Sequence, residues 1–416
     1  MNSRTIALIG TLDTKSAEIG YVAERLRESG IMPIVIDSGI LGTPTLRADV
    51  TRSEVAAASG HTLEQVQQSG SRGTAVELMQ EGLVRLVRTL YDDGRIVGVM
   101  CLGGAEGGLL GAAAMQALPV GAPKLIVSPS ASGRREFGPF MGSSDVLVMH
   151  SVVDILGINS LSRSVFDNAV AAMAGMVLWA GRPPASDRPS VGVTMLGQTT
   201  PGAMVLCRML EERGYEPIIF HANGVGGPAM EDLVREGMLA GVIDLTLSEL
   251  ANTLFDGIHA TGPERLTVAA QAGVPLVVVP GAGDFFNQGP LDTVPAVYRD
   301  RALYKHNPVA TLVRLTEPEM AELGRLVSAR LAGATAPTEV IVPLGGLSLI
   351  GVPGGPIADA AADAALARSL EVAVPAGVGF RTSPLAINDE EFAGLVAETF
   401  FDVMARASAR EAAVRR

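Results

Sequence analysis

The sequence predicts an α/β protein of two doubly wound, Rossmann-like parallel-sheet domains joined by a proline-rich linker. Strand-like apolar segments alternate with helix-like segments of roughly 12 to 20 residues, which is typical of βαβ units. The proline-rich stretch "GRPPASDRP" separates two apolar segments near the middle of the chain. The pattern that opens the chain also returns after this stretch. Together these observations favour two domains of similar build.

Composition narrows the possible functions. The chain has 416 residues, a formal net charge of -12 and a hydrophobic fraction of 48%. A negative balance argues against a surface for nucleic acid or anionic membranes, because both need positive patches. The longest apolar run, 169–180, is shorter than the ~20 residues of a membrane helix. We therefore expect a cytoplasmic protein that contacts neither nucleic acid nor membrane.

Cysteine usage excludes two further classes. Cys101 and Cys207 are the two cysteines, and each lies within an apolar pattern. We expect both thiols to be buried and inert, because a disulfide framework or a cysteine-based metal site needs more cysteines at closer spacing.

The first domain, 1–181, begins with a strand, a helix closed by Gly30, and a second strand. The predicted segments are, in order, "TIALIG", "SAEIGYVAERLRESG", "MPIVID", the helix "AVELMQEGLVRLVRTLYDDG", the strand "RIVGVMCLGG", the helix "EGGLLGAAAMQAL", the strands "PKLIVS" and "DVLVMH", and a helix over about 158–180.

The linker is placed at 182–189 and the second domain at 190–416. In the segment beginning "SVGVTMLGQTTPG", Gly197 matches Gly10 of the opening, and Gly214 and Pro217 match Gly30 and Pro33. This single pairwise match predicts a shared architecture, with convergent patterning as the alternative. The later segments are "GVIDLTLSEL", "GVPLVVVPGAGDFFN", a polar stretch through "YRDRALYKHNP", a helix near 317–331, the strand "TEVIVPLGG", and a last helix from 389 to about 407.

Three polar turns follow strands of the first domain. They are "GTLDTK" (10–15), "GGAEGG" (103–108) and "SPSASG" (128–133). Because the carboxyl ends of parallel strands meet at one edge, these turns are expected to form a phosphate cradle. In it, Lys15 supplies a positive charge, and Thr11 and Thr14 supply hydroxyl donors.

Asp13 and Glu106 are the predicted ligands of Mg²⁺, which prefers oxygen atoms. Each feature also has a structural interpretation. Asp13 is equally suited to cap the following helix, and one or two glycines of 103–108 would be needed for packing of strand against helix.

Two common nucleotide motifs are absent. No Gly-Lys dipeptide occurs, so the chain has no P-loop, and Ala105 breaks the pattern G-x-G-x-x-G in "GGAEGG". Asp37, at the end of the second strand, is where an acid would hold a ribose hydroxyl, but this alone is weak evidence for NAD.

A second pocket is predicted in the second domain, which contains most of the histidines. His221 and His259 are candidates for acid-base catalysis with Glu249 and Arg265, and Asp284 and Asn307 lie in similar turns. The alternative is that each histidine is a structural hydrogen-bonding group. No spacing of the H-E-x-x-H type predicts zinc.

Ten ordered motifs resemble the Tm-one-like ATP-binding family, the family of the N-terminal domain of the tomato tobamovirus-resistance protein and of bacterial relatives of unknown function. These motifs are "GTLDTK", "GGAEGG", "SVVDILGIN", "GVTMLGQTTP", "FHANGVGG", "DLTLSEL", "GPERL", "PGAGDFFN", "YKHNP" and "INDEEF". The resemblance runs from Ile6 to about Phe400 and implies two Rossmann-like domains, ATP in the first, and a homodimer. It also implies a separate partner resembling the phosphoenolpyruvate-hydrolase barrel that follows the domain in some relatives.

By this resemblance, the nucleotide contacts fall on the three polar turns of the first domain. The residues are Gly10, Thr11, Asp13, Lys15, Gly103, Gly104, Ala105, Glu106, Gly107, Gly108, Ser132 and Gly133.

The chain departs from the family pattern at three places. Glu106 adds a carboxylate to a loop that is usually Gly-Gly-Ser-Gly-Gly, and "SPSASG" keeps only the Ala-Ser-Gly end of the usual turn. Ile350 and Ile357 stand where an acid and a phenylalanine are expected. If that acid serves the second pocket, the family's second activity is altered or lost here.

The leading hypothesis is an ATP-binding protein, with Mg²⁺, that couples the nucleotide to a small carboxylate-bearing metabolite held between the domains. Arg265 or Lys305 would bind the carboxylate, and His221 or His259 would transfer protons. A non-catalytic ATP-binding regulatory module is the alternative. An NAD-dependent oxidoreductase is a third and weaker interpretation.

Overall fold

The computed structural model describes residues 4–131, 138–180 and 187–414. The chain divides into two compact units, Met1–Pro184 and Ala185–Arg416. We refer to them as the N-terminal unit and the C-terminal unit. Ser132 and Gly133 of the third predicted turn, and 182–186 of the predicted linker, lie outside the described residues.

The strands of the two units are β1 Thr5–Gly10, β2 Met32–Asp37, β3 Gly98–Leu102, β4 Lys124–Ser128, β5 Leu147–His150, β6 Ser190–Met195, β7 Glu216–His221, β8 Gly241–Thr246, β9 Leu276–Gly281, β10 Phe285–Gln288, β11 Leu303–Asn307, β12 Ala310–Arg314, β13 Thr338–Pro343 and β14 Val378–Ser383. The helices are α1 Leu12–Glu28, α2 Arg52–Ala58, α3 Leu63–Gln67, α4 Arg72–Asp92, α5 Ala105–Gln116, α6 Gly138–Met141, α7 Ser160–Trp179, α8 Thr200–Glu212, α9 Gly226–Arg235, α10 Ser248–Leu254, α11 Thr267–Gln271, α12 Glu317–Arg330, α13 Ala360–Ala373 and α14 Glu390–Val414.

The N-terminal unit is built on a parallel sheet with the strand order β2-β1-β3-β4-β5. This is a doubly wound order, and its switch point lies between β1 and β3. Side chains of β1 alternate between the two faces: Ile6 and Leu8 pack with α1 and α7, whereas Ala7 and Ile9 pack with α2, α4 and α5. Both faces are covered, which explains why the strands are continuous apolar runs.

The C-terminal unit repeats this winding with one more strand. Its main sheet has the order β14-β13-β9-β8-β6-β7, and all of its strand pairs are parallel. Helices α8 and α14 cover one face, and α9 to α13 contribute to the core on the other. The predicted fold class, two doubly wound parallel-sheet domains, is therefore confirmed.

A three-stranded antiparallel sheet, β10-β12-β11, is an addition to the C-terminal unit that the sequence analysis does not anticipate. Its strand β11 lies in the stretch treated above as polar, β10 lies at the end of the segment "GVPLVVVPGAGDFFN", and β12 follows the polar stretch. Phe286 and Val313 pack into the large core of the unit, and β11 and β12 are joined at Asn307. The Asn-Pro pair at 307–308, followed by the apolar segment of β12, is the signal that predicts such a turn.

Short elements account for most of the other differences. Helices α2 and α3 lie in a segment to which the sequence analysis assigns no structure, and α9, α13 and β14 are also additions. The last helix extends to Val414, so it includes most of the terminal segment "ASAREAAVRR", for which a frayed helix is expected from the sequence. Within the described ranges, the helices lack the combination of length and apolar composition that crossing a membrane requires.

Packing of α4 against α2 depends on the absence of a side chain at Gly82. A Cβ atom there would lie 1.9 Å from the carbonyl oxygen of Val55. We expect Gly82→Ala to lower the free energy of unfolding by about 1–3 kcal/mol through overpacking, although alanine is the better helix former. Urea unfolding followed by circular dichroism measures the change.

Gly175, inside α7, is the matched control because a Cβ atom there meets no atom within 4 Å. We expect Gly175→Ala to raise the free energy of unfolding by up to about 1 kcal/mol. A stabilising effect of both substitutions would contradict the close contact at Gly82.

Candidate functional site

A cavity of about 550 Å³ lies at the carboxyl ends of β1 and β3, the switch point of the N-terminal sheet. We call it the switch-point cavity. Its polar lining comes mainly from the two predicted turns "GTLDTK" and "GGAEGG", and the rest comes from the segment between β2 and α4. The lining residues from the two turns are Thr11, Asp13, Thr14, Lys15, Gly104, Ala105, Glu106 and Gly107.

The turn "GTLDTK" forms a bent helix start. The carbonyl oxygen of Thr11 accepts bonds from the backbone N–H groups of Thr14 (3.1 Å) and Lys15 (2.9 Å). Lys15 has non-helical angles, φ -126° and ψ 20°, so α1 bends there. The hydroxyl oxygens of Thr11 and Thr14 are 3.1 Å apart. The Nζ atom of Lys15 donates to the carbonyl oxygen of Ile155. A ligand would compete with this carbonyl for the ammonium group.

The glycine-rich loop combines packing with open space. A Cβ atom at Gly103 would lie 2.5 Å from the carbonyl carbon of Gly107, and one at Gly108 would lie 2.7 Å from the Phe140 ring. Gly104 is different, because a Cβ atom there would meet no atom within 4 Å. Gly104 occupies the N-cap position of α5 and supplies no side-chain cap. The first N–H groups of α5 therefore begin beside open space, an arrangement that suits an anion.

Arg72, at the start of α4, was not predicted as a site residue. Its guanidinium donates to the Oε2 atom of Glu106 from Nε (3.0 Å) and Nη2 (2.6 Å). The two side chains are 77% and 47% exposed, so this ion pair contributes at most about 1 kcal/mol. Arg72 offsets the carboxylate charge of Glu106, which by itself would repel a phosphate group. Because the Arg72–Glu106 pair is weak, a ligand can separate these two side chains at little cost in free energy.

The remaining wall is largely apolar. Ile40, Leu41, Ala75, Val76 and Leu110 line it. Four of them belong to the segment between β2 and the first turns of α4, most of which the sequence analysis leaves unassigned. No periodic pattern marks that segment, because α2 and α3 have only 7 and 5 residues.

Asp37 ends β2 but is not a lining residue of the cavity. Its Oδ1 atom accepts from the backbone N–H groups of Leu12 (3.0 Å) and Gly39 (2.9 Å), and Oδ2 accepts from Arg52 Nε (2.8 Å). Asp37 is 2% exposed. Both carboxylate oxygens therefore accept hydrogen bonds from groups of the protein.

Some predicted contacts lie away from the cavity. Gly10 is required by packing, because a Cβ atom there would lie 2.5 Å from Cδ1 of Ile19. In the third predicted turn, the described residues Ser128 to Ala131 do not line the cavity. Among the described parts of the chain, no group of three His, Cys, Asp or Glu side chains is arranged to hold a metal ion by itself.

A second pocket of about 260 Å³ lies in the C-terminal unit. Histidines from three elements line it: His221 ends β7, His259 follows α10, and His306 lies on β11. We call it the histidine pocket. Its other lining residues are Leu196, Gly197, Gln198, Phe285, Asn287, Asn307, Ala310 and Leu312.

Asn252 organises one side of the histidine pocket, and the sequence analysis missed it. Its Oδ1 atom accepts from the backbone N–H groups of Asn287 (2.9 Å) and His259 (3.2 Å). Its Nδ2 atom donates to the Ser248 carbonyl (2.8 Å) and to Asn287 Oδ1 (3.2 Å). One buried carboxamide thus positions two lining residues. The available signal was an asparagine two residues after the predicted segment "GVIDLTLSEL".

The imidazole of His259 is held neutral by its surroundings. Burial is the main cause that lowers its pKa, and the nearby imidazoles of His221 and His306 add to the effect. A neutral imidazole offers one donor and one acceptor nitrogen.

Glu249 and Arg265, predicted as catalytic partners of the histidines, lie elsewhere. Arg265 is fully buried and donates to both Asp244 oxygens (2.5 and 2.7 Å) and to Glu249 Oε2 (2.6 Å). Glu249 Oε1 accepts the backbone N–H groups of Gly224 (2.9 Å) and Gly227 (3.1 Å). These ion pairs hold the loop after β7, and neither side chain lines the histidine pocket.

Three more predicted residues are near the pocket but do not line it. Asp284 is buried and accepts from Ser348 Oγ (2.7 Å). Lys305 is exposed on β11. Ile350 packs with Phe285 and Leu312 in a small apolar cluster, behind the pocket lining. The departure from the family pattern at Ile350 therefore changes the packing behind two lining residues, Phe285 and Leu312.

These features define a class: a protein of two doubly wound α/β domains with a mixed polar and apolar cavity at the switch point of its N-terminal sheet. The chain belongs to the uncharacterised protein family UPF0261. The model of the family's N-terminal domain matches residues 4–181, and that of its C-terminal domain matches residues 188–404. The family resemblance drawn from the sequence motifs is confirmed.

Relatives match over nearly the whole chain. A UPF0261 protein of Clostridium tetani is 39% identical over 97% of this chain and 99% of its own length. A UPF0261 protein of Rhizobium meliloti is 36% identical over 96% of this chain and 99% of its own length. The ToMV resistance protein Tm-1(GCR237) of Solanum lycopersicum is 34% identical over 97% of this chain but 56% of its own length.

The burial of Glu231 near Arg265 implies a pH-dependent stability. Burial raises the pKa of the nearby Glu231 carboxyl from 4.5 to about 7, against the opposing charge of Arg265. The folded state therefore holds a proton that the unfolded chain releases above about pH 4.5. This contribution is lost as the pH rises to 7, so we expect the free energy of unfolding to fall by about 3 kcal/mol across that window. Urea unfolding at several pH values measures it.

Other carboxyl groups titrate in the same range, so the test is the difference between variants. Glu231→Gln should remove this part of the slope, whereas Glu371→Gln, on the exposed side of α13, should keep it. Equal slopes for wild type and Glu231→Gln would show that Glu231 is ionised throughout.

Proposed function

We propose that the N-terminal unit binds ATP in the switch-point cavity. The observation that supports this most is the uncapped start of α5 at Gly104, which faces open space beside Arg72 and the hydroxyls of Thr11 and Thr14. Backbone N–H groups, a guanidinium and hydroxyl groups are the donors that phosphate oxygens prefer. The volume of about 550 Å³ also suits a nucleotide.

The opposite wall suits a purine base. Ile40, Leu41 and Val76 provide an apolar surface for the flat ring. Gln67 also lines the cavity, and its Nε2 atom donates to the Ile40 carbonyl (2.6 Å). This bond leaves the Gln67 Oε1 atom as an acceptor, which matches the exocyclic amino group of adenine.

Mg²⁺ is part of the proposal, with Asp13 as its main protein ligand. Glu106 was the second predicted ligand, but its Oε2 atom is engaged by Arg72. The only hydrogen bond that the Asp13 carboxylate accepts within the described residues is a long one, 3.5 Å, from Thr14 Oγ1. Mg²⁺ commonly uses one or two carboxylates together with phosphate oxygens. The ion would therefore bind together with ATP.

The geometry disfavours NAD. A ribose hydroxyl needs a free carboxylate at the end of the second strand, but both oxygens of Asp37 are bonded within the protein. Coupling of ATP to a carboxylate-bearing metabolite, and the alternative of a regulatory module, stay predictions.

Calorimetric titration with ATP, Mg-ATP and NAD tests the proposal. Chromatography of the recovered nucleotide then distinguishes a regulatory module from an enzyme. Tight binding of intact ATP favours the module, whereas release of ADP, AMP or phosphate favours an enzyme. Preference for NAD would overturn the proposal.

A steric block at Gly104 tests the location of the site. A side chain there meets no protein atom but would occupy the space proposed for phosphate. We expect Gly104→Leu to weaken ATP binding at least about tenfold, or 1.4 kcal/mol, while the unit stays folded. Gly175→Leu, which also adds a side chain in open space, should bind ATP like wild type. Unchanged binding by Gly104→Leu would exclude the cavity as the site.

Arg72 provides a second test, of charge. We expect Arg72→Ala to weaken ATP binding by about 1.5–3 kcal/mol, because a charge-assisted contact is lost and Glu106 is left uncompensated. Arg85→Ala, on the exposed face of the same helix, should have no effect. Glu106→Gln should leave binding unchanged or tighten it. A loss of affinity in Glu106→Gln would instead make Glu106 a ligand of Mg²⁺.

A further inference from the structure

The histidine pocket, like the switch-point cavity, lies at the carboxyl end of the first strand of its unit. Leu196, Gly197 and Gln198 directly follow β6, and His221 ends the neighbouring strand β7. In doubly wound sheets, ligands bind outside the carboxyl ends of the strands. The pocket therefore lies where sheets of this kind bind their ligands.

Two polar atoms of the pocket residues lack a hydrogen-bond partner within the described residues. They are Oε1 of Gln198, a residue only 7% exposed, and Nδ1 of His259. Buried polar groups in native proteins are almost always paired. The Gln198 and His259 side chains are thus available to a molecule that enters the pocket.

The hydrogen-bond donors of the pocket, and the lack of acidic side chains in its described lining, favour an anion. Three imidazoles line it, and none of the described lining residues is an aspartate or glutamate. Asn287 accepts a bond from Asn252 through Oδ1, which leaves its Nδ2 as a donor. Imidazole N–H groups and this carboxamide can all donate to one acceptor group.

The remaining wall favours a ligand with a carbon skeleton. Leu196, Phe285 and Leu312 line the pocket with apolar surface, and an inorganic ion has no carbon atoms to pack against it. The volume of about 260 Å³ is smaller than pockets for drug-sized ligands. A transition metal is disfavoured, because the described residues contain no His, Cys, Asp or Glu cluster with metal-binding geometry.

We propose that the histidine pocket binds a small organic carboxylate. The carboxylate accepts from the imidazoles of His221, His259 and His306 and from Nδ2 of Asn287, and the carbon chain packs on Phe285. Gln198 Oε1 accepts from a hydroxyl or amino group of the same ligand. This assignment does not depend on ATP binding, since every residue that it uses lies in the C-terminal unit.

Histidine signals in NMR spectra of the full chain provide the test, because the protein has five histidines. With ¹³C-labelled imidazole rings, malate and lactate are titrated, followed by the neutral diamide of malate, inorganic phosphate and zinc chloride. We expect malate or lactate to shift the signals of His221, His259 and His306 and to leave His61 and His150 unchanged. The diamide should bind at least tenfold more weakly.

Four outcomes would overturn the proposal. They are shifts of all five histidines alike, equal binding of the diamide, a stoichiometric response to zinc without one to carboxylates, and no response to either carboxylate at 10-fold to 100-fold molar excess. Binding of phosphate alone would identify an inorganic anion site, which also contradicts the proposed carbon skeleton.

Substitutions on β11 and at Gln198 test whether the carboxylate binds in the histidine pocket. His306→Ala, on an exposed strand, should weaken carboxylate binding at least fivefold, whereas its neighbour Lys305→Ala should change it less than twofold. Gln198→Met keeps the side-chain length but should reduce the preference for malate over succinate, which lacks the hydroxyl. Stronger loss in Lys305→Ala than in His306→Ala would indicate general electrostatic attraction and refute a specific pocket.

Discussion

Parallel alignment of the strands is the constraint on which both candidate sites depend. In the N-terminal sheet, Gly10 pairs with Asp37 and Ile9 with Cys101, so the turns that follow these strands leave the sheet at the same edge. In the C-terminal sheet, Met195 pairs with His221, which places Gln198 and His221 at one edge. The winding reverses at the first strand of each unit, and this leaves room for a ligand beside that strand.

Charged groups serve two different purposes around these edges. Arg265 is buried with its carboxylate partners, and removal of one partner would leave a desolvated charge, so this network holds the loop after β7 in place. Arg72 and Glu106 form an exposed pair that costs little to separate. The buried network provides a rigid frame, and the exposed pair can exchange partners with a ligand.

The two units share their winding but not the chemistry of their linings. The described lining of the switch-point cavity has hydroxyls, a helix start and apolar side chains, whereas the histidine pocket has three imidazoles. Even equivalent glycines differ: Gly10 packs against Ile19, but a Cβ atom at Gly197 would meet no atom within 4 Å. One architecture therefore supports sites for two kinds of ligand, and position in the repeat does not predict a residue's role.

The sequence by itself determined the fold class, because continuous apolar strands and amphipathic helices record burial directly. It also located two of the turns that line the switch-point cavity. Only the tertiary structure decided which charged groups are free. Glu249 and Arg265 form an ion pair although they are 16 residues apart in the sequence, and Arg72 and Glu106 form one at a separation of 34 residues. Local patterns do not record such distant pairings, because a carboxylate has the same sequence signature whether it faces an arginine or a ligand.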